Sequence, residues 1–139
     1  MFIIGLDNGI YVKSNRRNLT REDMPQGIVF PFDEDYNGIE ILYWRKNWGL
    51  RHAVMNHFGW RVSPIGQCSF NIETPSQVLE FIEIIASFLD EERWENEGDS
   101  IWSYEEERPV LIQDIINLAL IHAFMRENPD VYLEFYDSY

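Results

Sequence analysis

The sequence predicts an α+β fold in which three helices pack against a small antiparallel sheet. Three observations support this class. An Asp-Asn-Gly turn signal stands between two short apolar runs near the N-terminus, a helix-start signal occurs at Thr74, and an alternating apolar and polar segment lies close to the C-terminus. Because 139 residues is the length of one domain, we expect a single globular domain over residues 1–139.

The first predicted strands flank the turn signal at residues 7–9. Residues 2–6 are apolar and the apolar pattern resumes over residues 10–13, so this segment favours a β-hairpin. Residues 28–32, Ile-Val-Phe-Pro-Phe, favour a third strand. Pro31 places that strand at the edge of the sheet, or ends it, because proline has no N–H to donate to a neighbouring strand.

A helix is predicted over residues 40–58, with Gly59 as its C-terminal cap. At about 100° per residue, one stripe of this helix holds Ile41, Trp44, Trp48, His52 and Met55. We therefore expect the tryptophans of this segment to pack in the core rather than to stack on nucleic-acid bases. Its basic residues would then neutralise nearby carboxylates or rim an interface.

Two more helices and a C-terminal strand complete the expected fold. Thr74 and Gln77 form a capping box with proline at the first helical position, which predicts a helix over residues 75–94. A third helix is predicted over residues 109–127, ended by an Asn-Pro pair. Residues 131–136 alternate between apolar and polar side chains and are the candidate for a last strand.

The two halves of the chain differ sharply in charge. Residues 1–65 hold eight basic and seven acidic side chains, residues 66–139 hold three basic and seventeen acidic ones, and the formal net charge is −13. The acidic half would repel nucleic acids and anionic membranes and would attract a basic protein. Plain solubility is the alternative explanation of the same charge.

The expected partner surface lies in the segments Asp-Glu-Glu-Arg-Trp-Glu-Asn-Glu-Gly-Asp and Tyr-Glu-Glu-Glu-Arg-Pro. Their carboxylates are too dense to be paired internally, because the acidic half has only three arginines. Aromatic side chains among them would supply the anchors that interfaces favour. The candidate partner-binding residues are Glu91, Glu92, Trp94, Glu95, Glu97, Trp102, Tyr104, Glu105 and Glu106.

Residues 33–38 match the first half of a calcium-binding loop, with acidic or amide side chains at alternate positions followed by glycine. The twelfth position of such a loop should be a bidentate glutamate, and here it is Trp44. Asp, Asn and Gly are also the common residues of turns. The sequence therefore predicts a turn and no calcium site.

The histidines and the one cysteine do not form a recognisable metal or catalytic set. His52 and His57 are five residues apart, about 140° around the predicted helix, so they do not converge with His122 and Cys68 as zinc ligands. No nucleophile elbow or metalloprotease motif occurs. We therefore expect no catalytic residues, no metal and no cofactor.

The sequence also predicts a cytoplasmic compartment. Cys68 is the one cysteine, so no internal disulfide forms. The N-terminus has no basic region ahead of an apolar run, and no apolar run reaches the roughly 18 residues of a membrane helix. These features favour neither a signal peptide nor a membrane span.

Tyr43, Trp44, Arg45 and Lys46 form a Tyr-Trp-Arg-Lys motif at the start of the predicted helix. Through this motif the chain resembles a group of small proteins encoded in bacteriophages, prophages and other bacterial mobile DNA. In that group an Ile-His pair and an aromatic pair follow, and here Leu-Arg and Ala-Val stand in their places. The resemblance implies a mobile-element origin and implies no activity.

The function that follows from these observations is a non-enzymatic, acidic, cytoplasmic protein that binds a basic protein partner. An inhibitor, an immunity protein or an anti-defence protein of phage or mobile-element origin fits the size and the charge. The alternatives are a small enzyme, with a site of scattered carboxylates and histidines, or a metal-binding domain. A homo-oligomer is compatible with each of them.

Overall fold

The structure is a computed structural model that describes residues 6–61 and 66–138. Within these residues it has four α-helices, a four-stranded antiparallel sheet and a short 3₁₀ turn (Arg21–Asp23). The elements in chain order are β1 (Asp7–Ser14), β2 (Ile39–Arg45), α1 (Trp48–Phe58), β3 (Gln67–Ile72), α2 (Pro75–Ser87), α3 (Glu91–Glu97), α4 (Tyr104–Glu127) and β4 (Val131–Ser138). The α+β class is therefore confirmed, with one helix more than the sequence predicted.

The sheet has the strand order β2-β1-β4-β3, and every neighbouring pair is antiparallel. The first and last strands form its centre, since β1 pairs with β4 along its whole length. In β4 the side chains of Val131, Leu133 and Phe135 are buried, and the residues between them are only half-buried. The alternation indicates one face packed on the core and one open face.

A β-bulge in β2 sets which side chains reach the open face. Ile10 pairs with Leu42, and the next residue of β1 pairs with Glu40, so Ile41 is the extra residue. Ile41 and Leu42 are consecutive and both buried. Glu40 and Tyr43, three residues apart, consequently lie on the same open face of the sheet.

The core lies between the inner face of the sheet and the helices. Trp44 of β2 is buried, with its ring stacked on Phe81 of α2 at 5.8 Å and edge-on to Phe135 of β4 at 6.2 Å. Its indole Nε1 donates a hydrogen bond of 2.9 Å to Asp114 of α4. Trp44 thus joins three elements, which confirms its assignment to the core.

The predicted helix over residues 40–58 is wrong in its first half. Residues 39–45 form β2, and the helix begins only at Trp48. A bulged strand buries residues three apart, as a helix does, so the spacing of Ile41 and Trp44 fits both structures. The buried side of α1 runs through Leu50 and Val54, which leaves Trp48 41% exposed.

Two further helix boundaries differ from the prediction. The predicted helix over residues 75–94 is broken after Ser87, and α3 starts anew with the Asp90 side chain accepting hydrogen bonds from two backbone N–H groups. The last helix begins five residues before Pro109, because Ser103 and Glu106 form a capping box. The Thr74 capping box is confirmed.

The predicted N-terminal hairpin is not formed as expected. The turn signal at residues 7–9 lies inside the continuous strand β1, and residues 2–5 lie outside the described part of the chain. Asn8 is buried and donates to the Asp137 carboxylate at 2.7 Å, so distant partners override its local turn preference. Gly9 is required for a different reason, since a Cβ there would lie 2.2 Å from the Glu40 carboxylate.

The strands at the sheet edges also differ from the expectation. Residues 28–32 lie outside any strand, and Asn117 of α4 holds their backbone by accepting from the N–H and donating to the C=O of Val29. β3 has no counterpart in the sequence prediction. The C-terminal strand is confirmed and extends to Ser138.

Among the described residues, α4 is long and apolar enough to cross a membrane, judged by length and composition alone, with a mean hydropathy of 1.2 in its best window. Core helices of soluble proteins meet the same criterion. Here α4 packs against α2, α3 and β2.

Candidate partner-binding surface

The predicted partner-binding residues lie along α3, the α3–α4 loop and the first turn of α4. We call residues 90–106 the acidic ridge. It holds one arginine, Arg93, and eight carboxylates, all on exposed residues: Asp90, Glu91, Glu92, Glu95, Glu97, Asp99, Glu105 and Glu106. The structure therefore brings six of the predicted acidic residues onto one continuous stretch of surface.

Some of these carboxylates have a role in folding. Glu91 and Glu92 lie in the first turn of α3, and Glu105 and Glu106 lie in the first turn of α4, where negative charge favours the helix dipole. Glu106 also accepts from the backbone N–H of its cap residue at 3.2 Å. With Asp90, the cap residue of α3, five of the eight carboxylates are thus explained by their place at a helix N-terminus.

Glu95 and Glu97 have no such explanation. Both lie in the last turn of α3, where a carboxylate is unfavourable beside the negative end of the helix dipole. Glu97 pairs with Arg93 at 3.2 Å, but its carboxylate is 60% exposed, and an exposed pair of this type contributes little to stability. Neither carboxylate is therefore explained by the stability of α3.

The three predicted aromatic anchors behave differently. Trp94 is only 6% exposed and packs edge-on against Phe88, so it belongs to the core and cannot act as a surface anchor. Tyr104 is half-buried, and its hydroxyl donates to the Leu89 carbonyl at 2.5 Å. Trp102 is 40% exposed, beside the 57% exposed Ile101. Of the three, Trp102 is the one that projects from the ridge.

Trp102 lines a groove between the end of β2 and the start of α4, which we call the tryptophan groove. Its volume is about 330 Å³, and Tyr43, Arg45, Glu106 and Val110 line it with Trp102. A second hollow of about 270 Å³ shares Tyr43 and Val110 and extends to the 29–31 segment. The sequence did not indicate this groove, because its walls are far apart in the chain.

Two carboxyl groups of α4 are buried next to the tryptophan groove. Glu107 lines the groove and accepts from Asn47 at 3.1 Å, and burial raises its pKa to about 7. Asp114 accepts from Trp44, and burial, with a smaller contribution from the charge of Glu107, raises its pKa to about 8. Groups that titrate near neutral pH are typical of acid–base chemistry, although structural networks produce them as well.

A second pair of polar contacts lies on the open face of the sheet. The Tyr136 hydroxyl donates to Glu40 at 2.6 Å, directly over Gly9, and Tyr11 stacks on the Tyr136 ring at 5.2 Å. Burial raises the pKa of Glu40 to about 7. Tyr43 donates to Asp7 at 2.8 Å beside this pair. The two hydrogen bonds join side chains across neighbouring strands, and Asp7, Tyr11 and Tyr136 also line a hollow of about 500 Å³.

The histidines do not converge on one site. His52 is exposed, His57 lies 2.9 Å from Glu80, and His122 is on α4. The predicted apolar stripe included His52, but in the structure this residue lies off the buried side of α1. Within residues 6–61 and 66–138 there is no group of three or more His, Cys, Asp or Glu side chains that could hold a metal.

The segment that matches the first half of a calcium-binding loop, residues 33–38, contains an ion pair. Its Asp35 carboxylate accepts from Arg21 at 2.8 Å, so this carboxylate already has a cationic partner.

A buried ion pair that the sequence did not predict fastens α1 to the sheet. The Arg51 guanidinium donates two hydrogen bonds, of 2.6 and 2.8 Å, to the fully buried Asp137 carboxylate. Asn8 donates to the same carboxylate. This cluster fastens α1 to the sheet, and Asp137 also lines a hollow of about 500 Å³ beside Cys68 and Ser69.

Comparisons of this chain with models of known protein families, with curated proteins and with solved structures gave no match.

Proposed function

We propose that this chain binds a basic protein partner through the acidic ridge and the tryptophan groove. The observation that carries the proposal is the exposed Trp102, which borders an apolar groove and stands within a ridge of eight carboxylates and one arginine. Interfaces are typically organised as an aromatic anchor surrounded by polar residues. The acidic ridge has both, because Trp102 is the aromatic anchor and the carboxylates are the polar residues around it.

The charge and the groove would contribute to different steps of binding. The carboxylates would attract a basic protein and accelerate the encounter, an effect that weakens with salt. The groove would hold an apolar side chain of the partner against Trp102 and Val110, which slows dissociation. Glu95 and Glu97, which oppose the dipole of α3, support a role for the ridge in binding.

The size, the acidity and the Tyr-Trp-Arg-Lys motif support an inhibitor, immunity or anti-defence protein of phage or mobile-element origin, acting in the cytoplasm. In the structure this motif ends β2 and its tyrosine lines the tryptophan groove. The proposal assigns no catalytic residue, metal or cofactor.

The proposal is tested by affinity capture from host lysate with three forms of the protein. The ridge variant changes Glu91, Glu92, Glu95 and Glu97 to Gln. The control variant changes four exposed glutamates elsewhere to Gln, namely Glu22, Glu34, Glu73 and Glu127. We expect a basic protein to be captured by the wild type and the control and lost with the ridge variant. An acidic partner, or equal capture by all three, would contradict the proposal.

The alternative of a small enzyme is favoured by one observation, the position of Glu107 in the wall of the tryptophan groove with a pKa of about 7. Such a carboxyl could act as an acid or a base. A screen with chromogenic ester, glycoside and phosphate substrates tests this, with Glu107→Gln as the control. Turnover that disappears in Glu107→Gln would favour the enzyme over the binding protein.

A further inference from the structure

A large groove lies between α1 and α2, and the end of α3 closes one side of it. We call it the α1–α2 groove. Its volume is about 650 Å³. Its apolar lining includes Ala53, Ile84 and Phe88, and its polar lining includes carboxylates from α2 and α3. Glu97 and Asp99 belong both to this groove and to the acidic ridge, so the two surfaces are continuous.

The side chains that line the groove include more carboxylates than cationic partners for them. Four carboxylates line it, and two of them have partners, since Glu80 lies 2.9 Å from His57 and Glu97 lies 3.2 Å from Arg93. Among the described residues, no cationic side chain lies within ion-pair distance of Glu83 or Asp99. A cationic group entering the groove would complement both.

Arg93 shows how the groove holds a guanidinium group. Its guanidinium carbon lies 4.3 Å from the centroid of the Phe88 ring, and its nitrogens donate to Ser87 and to Glu97. An aromatic face with acceptors at its side suits the flat, forked guanidinium better than the compact ammonium of lysine. Trp48, 41% exposed, adds a second aromatic ring to the lining, and the Arg51 guanidinium carbon lies 5.8 Å from the centroid of that ring.

The wall of the groove beside Asp99 is fixed by backbone contacts. The N–H groups of Trp48 and Gly49 donate to the carbonyls of Asp99 and Gly98, at 3.1 and 3.0 Å. A Cβ on Gly49 would lie 2.1 Å from the Glu97 carbonyl, so only glycine allows this approach. A preformed wall reduces the ordering cost of binding.

We propose that the α1–α2 groove binds arginine side chains of a basic protein. The inference rests on the proposed function, because it treats this groove as a second contact for the same partner on the other side of α3. The aliphatic stem of the arginine would lie on Ile84 and Ala53. Its guanidinium would meet the Trp48 ring and the carboxylates of Glu83 and Asp99.

The test uses a hexa-arginine peptide and a hexa-lysine peptide of equal charge. Titration calorimetry at low salt measures their affinities, and amide chemical shifts in NMR spectra locate the binding site. We expect the arginine peptide to bind about threefold more tightly than the lysine peptide, because cation–π contacts at exposed sites have that magnitude. The largest shifts should fall on the amides of Gly49, Ala53 and Ile84.

Three variants make the test specific to the groove. Glu83→Gln with Asp99→Asn should weaken the arginine peptide about fivefold, and asparagine tolerates the positive φ of 38° at position 99. Trp48→Leu should abolish the preference for arginine over lysine. The matched control, Glu22→Gln with Glu127→Gln, removes the same charge elsewhere and should weaken binding less.

Equal affinity for the two peptides, no binding of either, or equal weakening by the groove variant and the control would overturn the inference. The proposed function is judged separately, by the loss of partner capture in the ridge variant. Capture that depends on the ridge, together with peptide shifts confined to the ridge, would leave the proposed function standing and refute the groove.

Discussion

Replacing Asp114 with Asn should stabilise the protein near neutral pH and have little effect in acid. Asp114 is buried beneath Trp44, and its carboxyl has a pKa of about 8 against an ordinary value of 3.8. The folded state therefore holds a proton that the unfolded chain releases above about pH 4. The free energy of unfolding that this group contributes is therefore greatest below about pH 4. It declines as the pH rises towards the folded pKa of about 8.

The size of the effect follows from the pKa difference. Between about pH 4 and pH 7, at about 1.4 kcal/mol per pH unit, the ionisation of Asp114 in the unfolded chain lowers the free energy of unfolding by about 4 kcal/mol. Asparagine does not ionise, and its side-chain oxygen can still accept the hydrogen bond from the Trp44 indole. The stability advantage of Asp114→Asn over the wild type should therefore grow by about that amount over the same interval.

Urea unfolding followed by tryptophan fluorescence measures this at pH 4, 5, 6, 7 and 8. The difference between variant and wild type isolates Asp114 from the general repulsion in an acidic chain. Glu127→Gln, which removes an exposed carboxylate from the same helix, should show a nearly constant difference. A difference for Asp114→Asn that stays flat across the series would refute the reasoning that burial holds this carboxyl neutral.

Three further results are expected. Gly49→Ala should lower the free energy of unfolding by about 3 kcal/mol, because the new methyl group would lie 2.1 Å from the Glu97 carbonyl, and a melting temperature equal to that of the wild type would contradict the packing at α1. Arg51→Ala should cost about 3 kcal/mol by leaving the Asp137 carboxylate buried without its main partner, and Arg51→Ala with Asp137→Ala should cost less than the sum of the two single changes in urea unfolding. Millimolar calcium or a chelator should leave the melting temperature unchanged, because Trp44 cannot act as a ligand and Asp35 is paired with Arg21. A saturable rise of several degrees would establish a site.

Local sequence signals predicted the elements that local interactions determine. The Thr74 capping box starts α2 as expected, and the alternation of residues 131–136 forms β4 as expected. The boundaries that failed depend on distant residues. Asn8 and Gly9 resemble a turn, yet Asn8 is held by Asp137 and Gly9 is covered by Tyr136, both at the other end of the chain.

The largest error was the helix predicted over residues 40–58. It arose because the spacing of buried residues in a bulged strand matches the spacing on one side of a helix. The bulge at Ile41 gives β2 a spacing of buried residues that also fits a helix, and the true helix then starts at Trp48 with a different buried side. β3 was not predicted although Gln-Cys-Ser-Phe-Asn-Ile alternates polar and apolar residues, as a strand does. The segment is short, and its position at the sheet edge is set by pairing with β4.

The acidity of the candidate site could be predicted from the composition, whereas its shape could not. Trp94 stands among charged residues in the sequence, but the turn of α3 points it at Phe88. The tryptophan groove needs Tyr43 beside Val110, and the α1–α2 groove needs His57 beside Glu80. Such contacts form only through tertiary packing, so no local pattern could show them.

The most direct test of the proposed function is the kinetics of binding between this protein and its captured partner at several salt concentrations. The ridge variant should associate more slowly than the wild type and depend less on salt, with a nearly unchanged dissociation rate. Trp102→Ala should instead dissociate faster, because it removes the anchor from the tryptophan groove. If neither variant changes either rate while both remain folded, the acidic ridge is only a solvated surface and the account is contradicted.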